Sequence, residues 1–319
     1  MRRRNPPVVV HAEAPVTTTT RVEQPVVFAG LTRTDLTMLL VVLIWGANFS
    51  IVKAALTEIP PLAFATLRFA SASVLLLAFT FWREGRRALP PDRATWWKLV
   101  WIGFVGNTLY QALFTYSLTL TTAANGSLII ATTPAWVALA AALLGIERVR
   151  GIMAAGIALA IGGVALVVAE RGLSLGGSGL LGDLLMLGAA LCWMIYTLGV
   201  RTLGQGLSPL AITAWTMVTG VPGMLLVSIP DWGRVQWASV SLSAWLGLLY
   251  ATLLALVLAY VLWNNSVRVA GSARTAIYGC AIPLVATLIA WPLLGEQPTW
   301  VQGVGGLLIV TGVLLTRRT

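Results

Sequence analysis

Ten apolar stretches, each near twenty residues long, follow one another from Leu36 to Thr316 with only short polar breaks. A helix rises ~1.5 Å per residue, so about twenty apolar residues cross the ~30 Å hydrocarbon core of a bilayer. Inside lipid the backbone must satisfy its own polar groups, and a helix does so within each segment. Charged residues make up only 10% of the chain and hydrophobic ones 58%. A soluble domain carries about a quarter charged residues, so these runs read as membrane spans and not as buried cores.

The predicted spans are Leu36–Leu56, Leu62–Trp82, Trp97–Leu118, Ala124–Leu144, Gly151–Ala169, Leu180–Val200, Leu210–Ile229, Leu242–Trp263, Ala273–Leu294 and Thr299–Thr316. Pro60-Pro61, Pro90-Pro91, Ser208-Pro209 and Gln297-Pro298 punctuate them, because proline cannot easily continue a helix. The fold class is therefore all-α integral membrane with ten transmembrane helices. Residues 1–34 are different. Arg2 to Arg4, Pro6, Pro7, Pro15, Thr17 to Thr20 and Pro25 give a polar, proline-broken stretch. Its apolar run, Val8 to Val10, is too short for a signal-peptide core. The expectation is a disordered cytoplasmic tail that holds the one histidine, His11.

The net charge of +10 could suggest nucleic acid. The basic residues, however, sit in short loops and form no stripe on a soluble face, so no nucleic-acid partner is expected. With a cytoplasmic N-terminus, sixteen Lys and Arg fall on the cytoplasmic side and only Arg171 and Arg234 on the other. The positive-inside rule then puts both termini in the cytoplasm. Cys192 and Cys280 lie inside apolar runs and read as small buried hydrophobes, not as a disulfide framework. Trp82, Trp96, Trp97, Trp232, Trp237 and Trp300 fall near span ends, as an interfacial aromatic belt does.

The chain also resembles itself at a shift of 148 to 149 residues. Trp45 matches Trp193, Lys53 matches Arg201, and Pro61-Leu62-Ala63 matches Pro209-Leu210-Ala211. After a one-residue slip, Ser117 matches Ser266, Pro134 matches Pro283, Glu147 matches Glu296, Gly156 matches Gly305 and Gly163 matches Gly312. Residues 35–170 and 179–317 are then two five-span repeats. Five is odd, so the second repeat enters the membrane from the opposite side. Inverted repeats of this kind are characteristic of alternating-access transporters, with substrate near midplane at the repeat interface.

Particular residues carry a family resemblance. Trp45-Gly46-Ala47-Asn48-Phe49, Leu67-Arg68-Phe69, Pro134 and Leu144-Gly145-Ile146-Glu147 lead into a glycine-rich fifth span. The second half repeats the later part as Pro283, Leu294-Gly295-Glu296 and Gly303 to Gly306. The chain resembles the EamA-type drug/metabolite transporters over residues ~35 to 316, and within them the branch that exports aromatic and other amino acids across the bacterial inner membrane. The resemblance implies a multi-pass protein of that membrane, with a small-molecule substrate and no cofactor. The expected state is a monomer in the lipid bilayer.

Polar groups inside spans should face the bundle interior. Asn107, Tyr110 and Gln111 share one face of span 3; Trp45 and Asn48 pair in span 1, Trp193 and Tyr196 in span 6. Tyr260 and Asn264 pair in span 8, and Arg274 and Tyr278 in span 9. The candidate substrate-binding set is Trp45, Asn48, Asn107, Tyr110, Gln111, Trp193, Tyr196, Tyr260, Arg274 and Tyr278. The repeat-paired Trp45 and Trp193 would flank the substrate, and Arg274 would meet a carboxylate. The bland reading is that these groups only bond neighbouring helices, at about 1 kcal/mol each. Trp136, among apolar neighbours, reads as packing. Lys53 is close enough to a span end to snorkel. Arg68 is either a clamp on backbone carbonyls or a lining of the route. Ala154, Ala158 and Gly162 read as a close helix-packing seam.

No acid lies mid-span, and Asp183 is nearest, where it would cap span 6. With no mid-span Asp, Glu or His, no side chain is evident to carry a proton or ligate a metal, which favours a facilitator or exchanger. No HExxH or GxSxG is present, and no paired carboxylates share a span. An intramembrane enzyme is therefore disfavoured. The rival within carriers is a multidrug exporter of small amphipathic compounds, though cationic drugs call for a buried carboxylate. A nucleotide sugar would want more cavity cations. Saturation of flux would separate a carrier from a channel.

Overall fold

The computed structural model describes residues 26–28, 31–145, 151–169, 178–201, 203, 206–270 and 278–315. Among the described residues, ten helices follow the order of the ten predicted spans. They are α1 (Arg33–Ala55), α2 (Pro61–Glu84), α3 (Arg93–Gly103, continued by the π-helical Phe104–Leu109 and by Tyr110–Leu118), α4 (Ala123–Ala131 and Thr133–Leu143) and α5 (Gly151–Ala169). The second half contains α6 (Ser178–Arg201), α7 (Pro209–Trp232), α8 (Leu242–Tyr250, the π-helical Ala251–Leu258, then Ala259–Ala270), α9 (Ile282–Leu294) and α10 (Trp300–Leu315). Among the described residues, seven helical stretches are long and apolar enough to cross a membrane, and α9 and α10 are shorter apolar helices. Asn107 and Gln111 make α3 less apolar than its neighbours. The chain is a multi-pass, all-α membrane protein. A two-stranded pair, Val26–Phe28 with Leu31–Thr32, precedes α1 inside the segment expected to be a tail.

Helix ends follow local chemistry. Asp92, Thr122, Ser208 and Ser241 accept from the backbone N–H three residues on, at 2.7, 3.1, 3.0 and 3.2 Å, which satisfies a donor that a helix start leaves orphaned. Pro61 and Pro209 stand near the starts of α2 and α7, where the missing N–H costs nothing. Pro134 and Pro283, repeat equivalents, each stand near the start of a fresh helical segment. Gly145 and Gly295 follow α4 and α9 with φ of 69°, the left-handed conformation glycine adopts without strain.

The main helix pairs are α5 with α10, α2 with α7, α1 with α8 and α9, α6 with α3 and α4, α2 with α8, and α7 with α3. If each helix is exchanged for the one five places away, this set of pairs maps onto itself. α1·α8 becomes α6·α3, α1·α9 becomes α6·α4, and α2·α8 becomes α7·α3. The two halves thus meet along most of their length.

The α5–α10 contact differs from expectation. Ala154, Ala158 and Gly162 are exposed, and a Cβ on Gly162 would meet nothing within 4 Å. The seam lies on another face of α5, at Gly156, Ala160 and Gly163. A Cβ on Gly163 would stand 2.7 Å from the Gly305 carbonyl oxygen, and one on Gly312 would stand 2.5 Å from the Gly156 carbonyl oxygen. Backbones approach this closely only where side chains are absent. Elsewhere hydroxyls tie helices together: Thr66 donates to Met224 O at 3.1 Å, Thr108 to Gly220 O at 2.8 Å and Thr219 to Leu99 O at 3.0 Å.

Candidate substrate site

Aromatic side chains from four helices meet in the middle of the bundle. Trp193 stacks on Tyr196 one turn along α6, with centroids 4.8 Å apart, and packs on Tyr110 of α3 at 5.1 Å. Trp45 of α1 packs on Trp263 of α8 at 5.1 Å. Tyr260 joins the two groups edge-on, 5.8 Å from Trp45 and 6.1 Å from Trp193. The repeat-paired tryptophans therefore share one neighbour. The i, i+3 spacing of Trp193 with Tyr196, and of Tyr260 with Trp263, puts each pair on one helical face. All six side chains are only partly buried.

Both π-helical segments lie beside this cluster. Trp45 donates its indole N–H to the carbonyl of Ala255, inside the α8 segment, at 2.9 Å. In α3 the Tyr196 ring lies so close to Gly106 that a Cβ there would stand 2.2 Å from the ring. Such wide turns recur at functional sites. The two tryptophans differ in one respect. Trp45 has its N–H engaged, whereas the Trp193 N–H and the hydroxyls of Tyr110 and Tyr260 have no hydrogen-bond partner among the described residues. The Tyr196 hydroxyl lies 3.4 Å from Thr216 Oγ1.

The other candidates are distributed around this cluster. Gln111 is held by Arg68, whose Nη2 donates to its Oε1 at 2.7 Å and to Thr115 Oγ1 at 3.3 Å. Arg68 is 2% exposed, and its guanidinium carbon sits 5.6 Å from the Phe64 ring centroid and 5.8 Å from that of Phe114. Phe114 stacks on Tyr110 at 5.7 Å. Arg68 thus bonds side chains of α3 where sequence reasoning allowed for backbone carbonyls. Asn48 and Asn107 are buried, and Asn48 Oδ1 and Asn107 Nδ2 have no hydrogen-bond partner among the described residues. Tyr278 packs against the same apolar cluster as Trp45 and Trp263, that of Met38, Val41, Ile44, Ala255 and Ala259, and its hydroxyl donates to Asp35 at 2.5 Å. Arg274 lies outside the described residues, as does the side chain of Asn264.

Polar ties join the two halves at the end of the bundle where α1 finishes. Lys53, expected to snorkel, instead pairs with Glu296 at 2.8 Å and donates to the Thr121 carbonyl. Glu296 also accepts from the Ala123 N–H at the start of α4, at 2.9 Å, and Gln302 donates to Asn125 at 2.8 Å. Thr121 donates to the buried Asp183. Glu58 accepts from the Ser241 N–H at 2.6 Å and hydroxyl at 2.7 Å, and these bonds hold its carboxyl below the usual carboxylate range. Asp35, 148 residues before Asp183, is buried at the opposite end. Sequence reasoning passed over it because it lies just before the first apolar run, although the repeat shift that links it to Asp183 is readable in the sequence.

Comparison with known proteins fits this architecture. The profile of the EamA-like transporter family matches twice, over residues 32–169 and 180–318. An uncharacterized transporter of Archaeoglobus fulgidus is 32% identical over 286 residues, covering 89% of this chain and 97% of that protein. The uncharacterized transporter YyaM of Bacillus subtilis is 28% identical, over 84% of this chain and 88% of its own. A probable amino-acid metabolite efflux pump of Escherichia coli is 28% identical, over 87% of this chain and 92% of its own. One crystal structure superposes with a TM-score of 0.61 at 20% identity, over 88% of this chain and 95% of the other, a likeness of fold alone.

Proposed function

Because the chain belongs to the EamA-like transporter family, we propose that it exports amino acids with aromatic or other neutral side chains, or similar small metabolites, by alternating access. The observation that carries this reading is the aromatic cluster, in which Trp45 and Trp193 of the two repeats share Tyr260. Indole and phenol faces suit an apolar or aromatic side chain and attract an ammonium group by cation–π contact. The name of the Escherichia coli relative supports the same substrate class.

The two repeats are inverted in this reading. Each profile match spans five helices, and the helix pairs exchange with one another between halves. Substrate then sits at the repeat interface, and rocking one half on the other exposes it to each side in turn. Opening the end where α1 finishes requires the Lys53–Glu296 pair to part.

The protein sits in the bacterial inner membrane with both termini cytoplasmic, as the lysine and arginine bias indicates. Cysteines placed singly in a background free of Cys192 and Cys280 test this. Gln236→Cys should react with an impermeant thiol reagent in intact cells, and Arg87→Cys should react only after lysis. The reverse pattern overturns the orientation.

No carboxylate or histidine lies mid-span, so transport runs down the substrate gradient or by exchange. Purified protein in liposomes should give saturable counterflow of radiolabelled amino acids with no imposed pH gradient. Absence of flux for every amino acid, with uptake of cationic dyes instead, would sink the reading in favour of drug export. Accumulation that collapses with a protonophore would sink the facilitator mechanism and move attention to the end-of-helix acids Asp35 and Asp183.

A further inference from the structure

Arg68 is a buried cation with no acid paired to it among the described residues. The ion pairs among the described residues are Lys53–Glu296 and Arg234–Asp231. A guanidinium stays charged in a protein, and a buried charge is costly unless paired and hydrogen-bonded. Gln111 and Thr115 offer it neutral oxygens, both taken by one nitrogen, Nη2. Nε is buried with no partner, and Nη1 makes no hydrogen bond among the described residues. Phe64 and Phe114 give it aromatic faces, which attract a cation without neutralising it. A residue that served only to clamp α2 to α3 would need neither a permanent charge nor the unused donors.

Its location is as informative as its chemistry. Phe114 beside the guanidinium stacks on Tyr110, and Tyr110 packs on Trp193. The cation is thus two rings, Phe114 and Tyr110, away from Trp193 and its unengaged indole N–H. We propose that Arg68 anchors the carboxylate of the transported molecule, while Trp193, Tyr110 and Tyr260 hold its apolar part. The inference rests on the exporter reading and deepens it by assigning the charged contact. Arginine presents paired N–H donors in a planar fork that matches a carboxylate. Gln111 then positions the guanidinium.

Gln111→Glu separates anchor from clamp. It keeps an acceptor of the same shape beside Nη2 and adds a negative charge that pairs with Arg68 internally. A clamp would be strengthened by it and transport kept. An anchor would be occupied by it. The assay compares counterflow of tryptophan with that of tryptophan amide, which has the same ring and ammonium but no carboxylate. The parent should prefer tryptophan. Gln111→Glu should remain folded and weaken tryptophan transport by roughly ten- to a hundredfold, the effect of losing a charge-assisted bond, with the amide little changed. Arg68→Lys, which keeps the charge and loses the fork, should fall between the two. Undiminished preference for the carboxylate in both variants would overturn the proposal. If the parent moves no amino acid, the exporter reading fails by itself. The anchor is then judged by thermal unfolding of the purified protein with indole-3-propionate against its amide. Stabilisation by the acid alone, lost in Gln111→Glu, keeps it, and equal shifts for the two ligands overturn it.

Discussion

Trp193→Ala should leave a folded, membrane-inserted protein whose saturable amino-acid transport falls by on the order of tenfold to a hundredfold, the equivalent of about 1.4 to 2.8 kcal/mol. The indole touches Tyr110, Tyr196 and Tyr260, is only partly buried and has no hydrogen-bond partner among the described residues. If substrate binds at this cluster as proposed, removing it takes away a wall of the site and little sealed packing. Trp45→Ala should differ in kind. It also deletes the bond to Ala255 O that joins α1 to the π-helical part of α8, a further loss of about 1 kcal/mol. Its melting temperature should therefore fall together with transport. Trp300→Ala, 90% exposed at the start of α10, should change neither. The measurement is initial-rate counterflow in liposomes, alongside melting followed by fluorescence size exclusion. Parent-like transport in both Trp45→Ala and Trp193→Ala would mean that substrate binds elsewhere.

The second large effect concerns stability. Gly312→Val should cost about 3 kcal/mol or more, the upper part of the range for overpacking, and most of the protein should be lost to aggregation. The added Cβ would stand 2.5 Å from the Gly156 carbonyl oxygen and 2.6 Å from the Ala160 nitrogen. Those are backbone atoms, so no rotamer change relieves the clash and the helices must separate. Adjacent positions on α5 make an internal comparison. Gly163→Ala should destabilise, because its Cβ would meet Gly305 O at 2.7 Å and Ile309 Cγ1 at 2.8 Å. Gly162→Ala has open space, and should be neutral or gain up to ~1 kcal/mol from helix propensity. Equal melting temperatures for Gly162→Ala and Gly163→Ala would contradict the observed seam.

The misread seam on α5 has a physical cause. Nearly every residue from Gly151 to Ala169 is apolar, so no polar face marks which side meets lipid. Counting small residues along one row chose Ala154, Ala158 and Gly162. The matches of Gly156 with Gly305 and Gly163 with Gly312 pointed to the correct row, because both partners of a symmetric contact must be small. The apolar helices were readable for the opposite reason: lipid acts on composition over about twenty residues and tolerates local error. Trp45 and Trp193 were readable from the repeat alone. The π-helical segments were not, since a one-residue widening leaves hydropathy unchanged. The bond between Arg68 and Gln111 was equally hidden, because it depends on how two separate helices are rotated against each other.

The pairing of helices has a consequence for how the chain is made. α5 finds its main partner in α10, and α2 finds its own in α7. A ribosome adds about 5–20 residues per second, so α5 waits in the bilayer for on the order of ten seconds or more before α10 exists to cover its glycine face. During that interval the nascent first half has open backbone seams that any small-residue helix nearby can enter. The repeat is thus a unit of sequence and not of folding. Protection of the early helices falls to the insertion machinery until the later ones arrive.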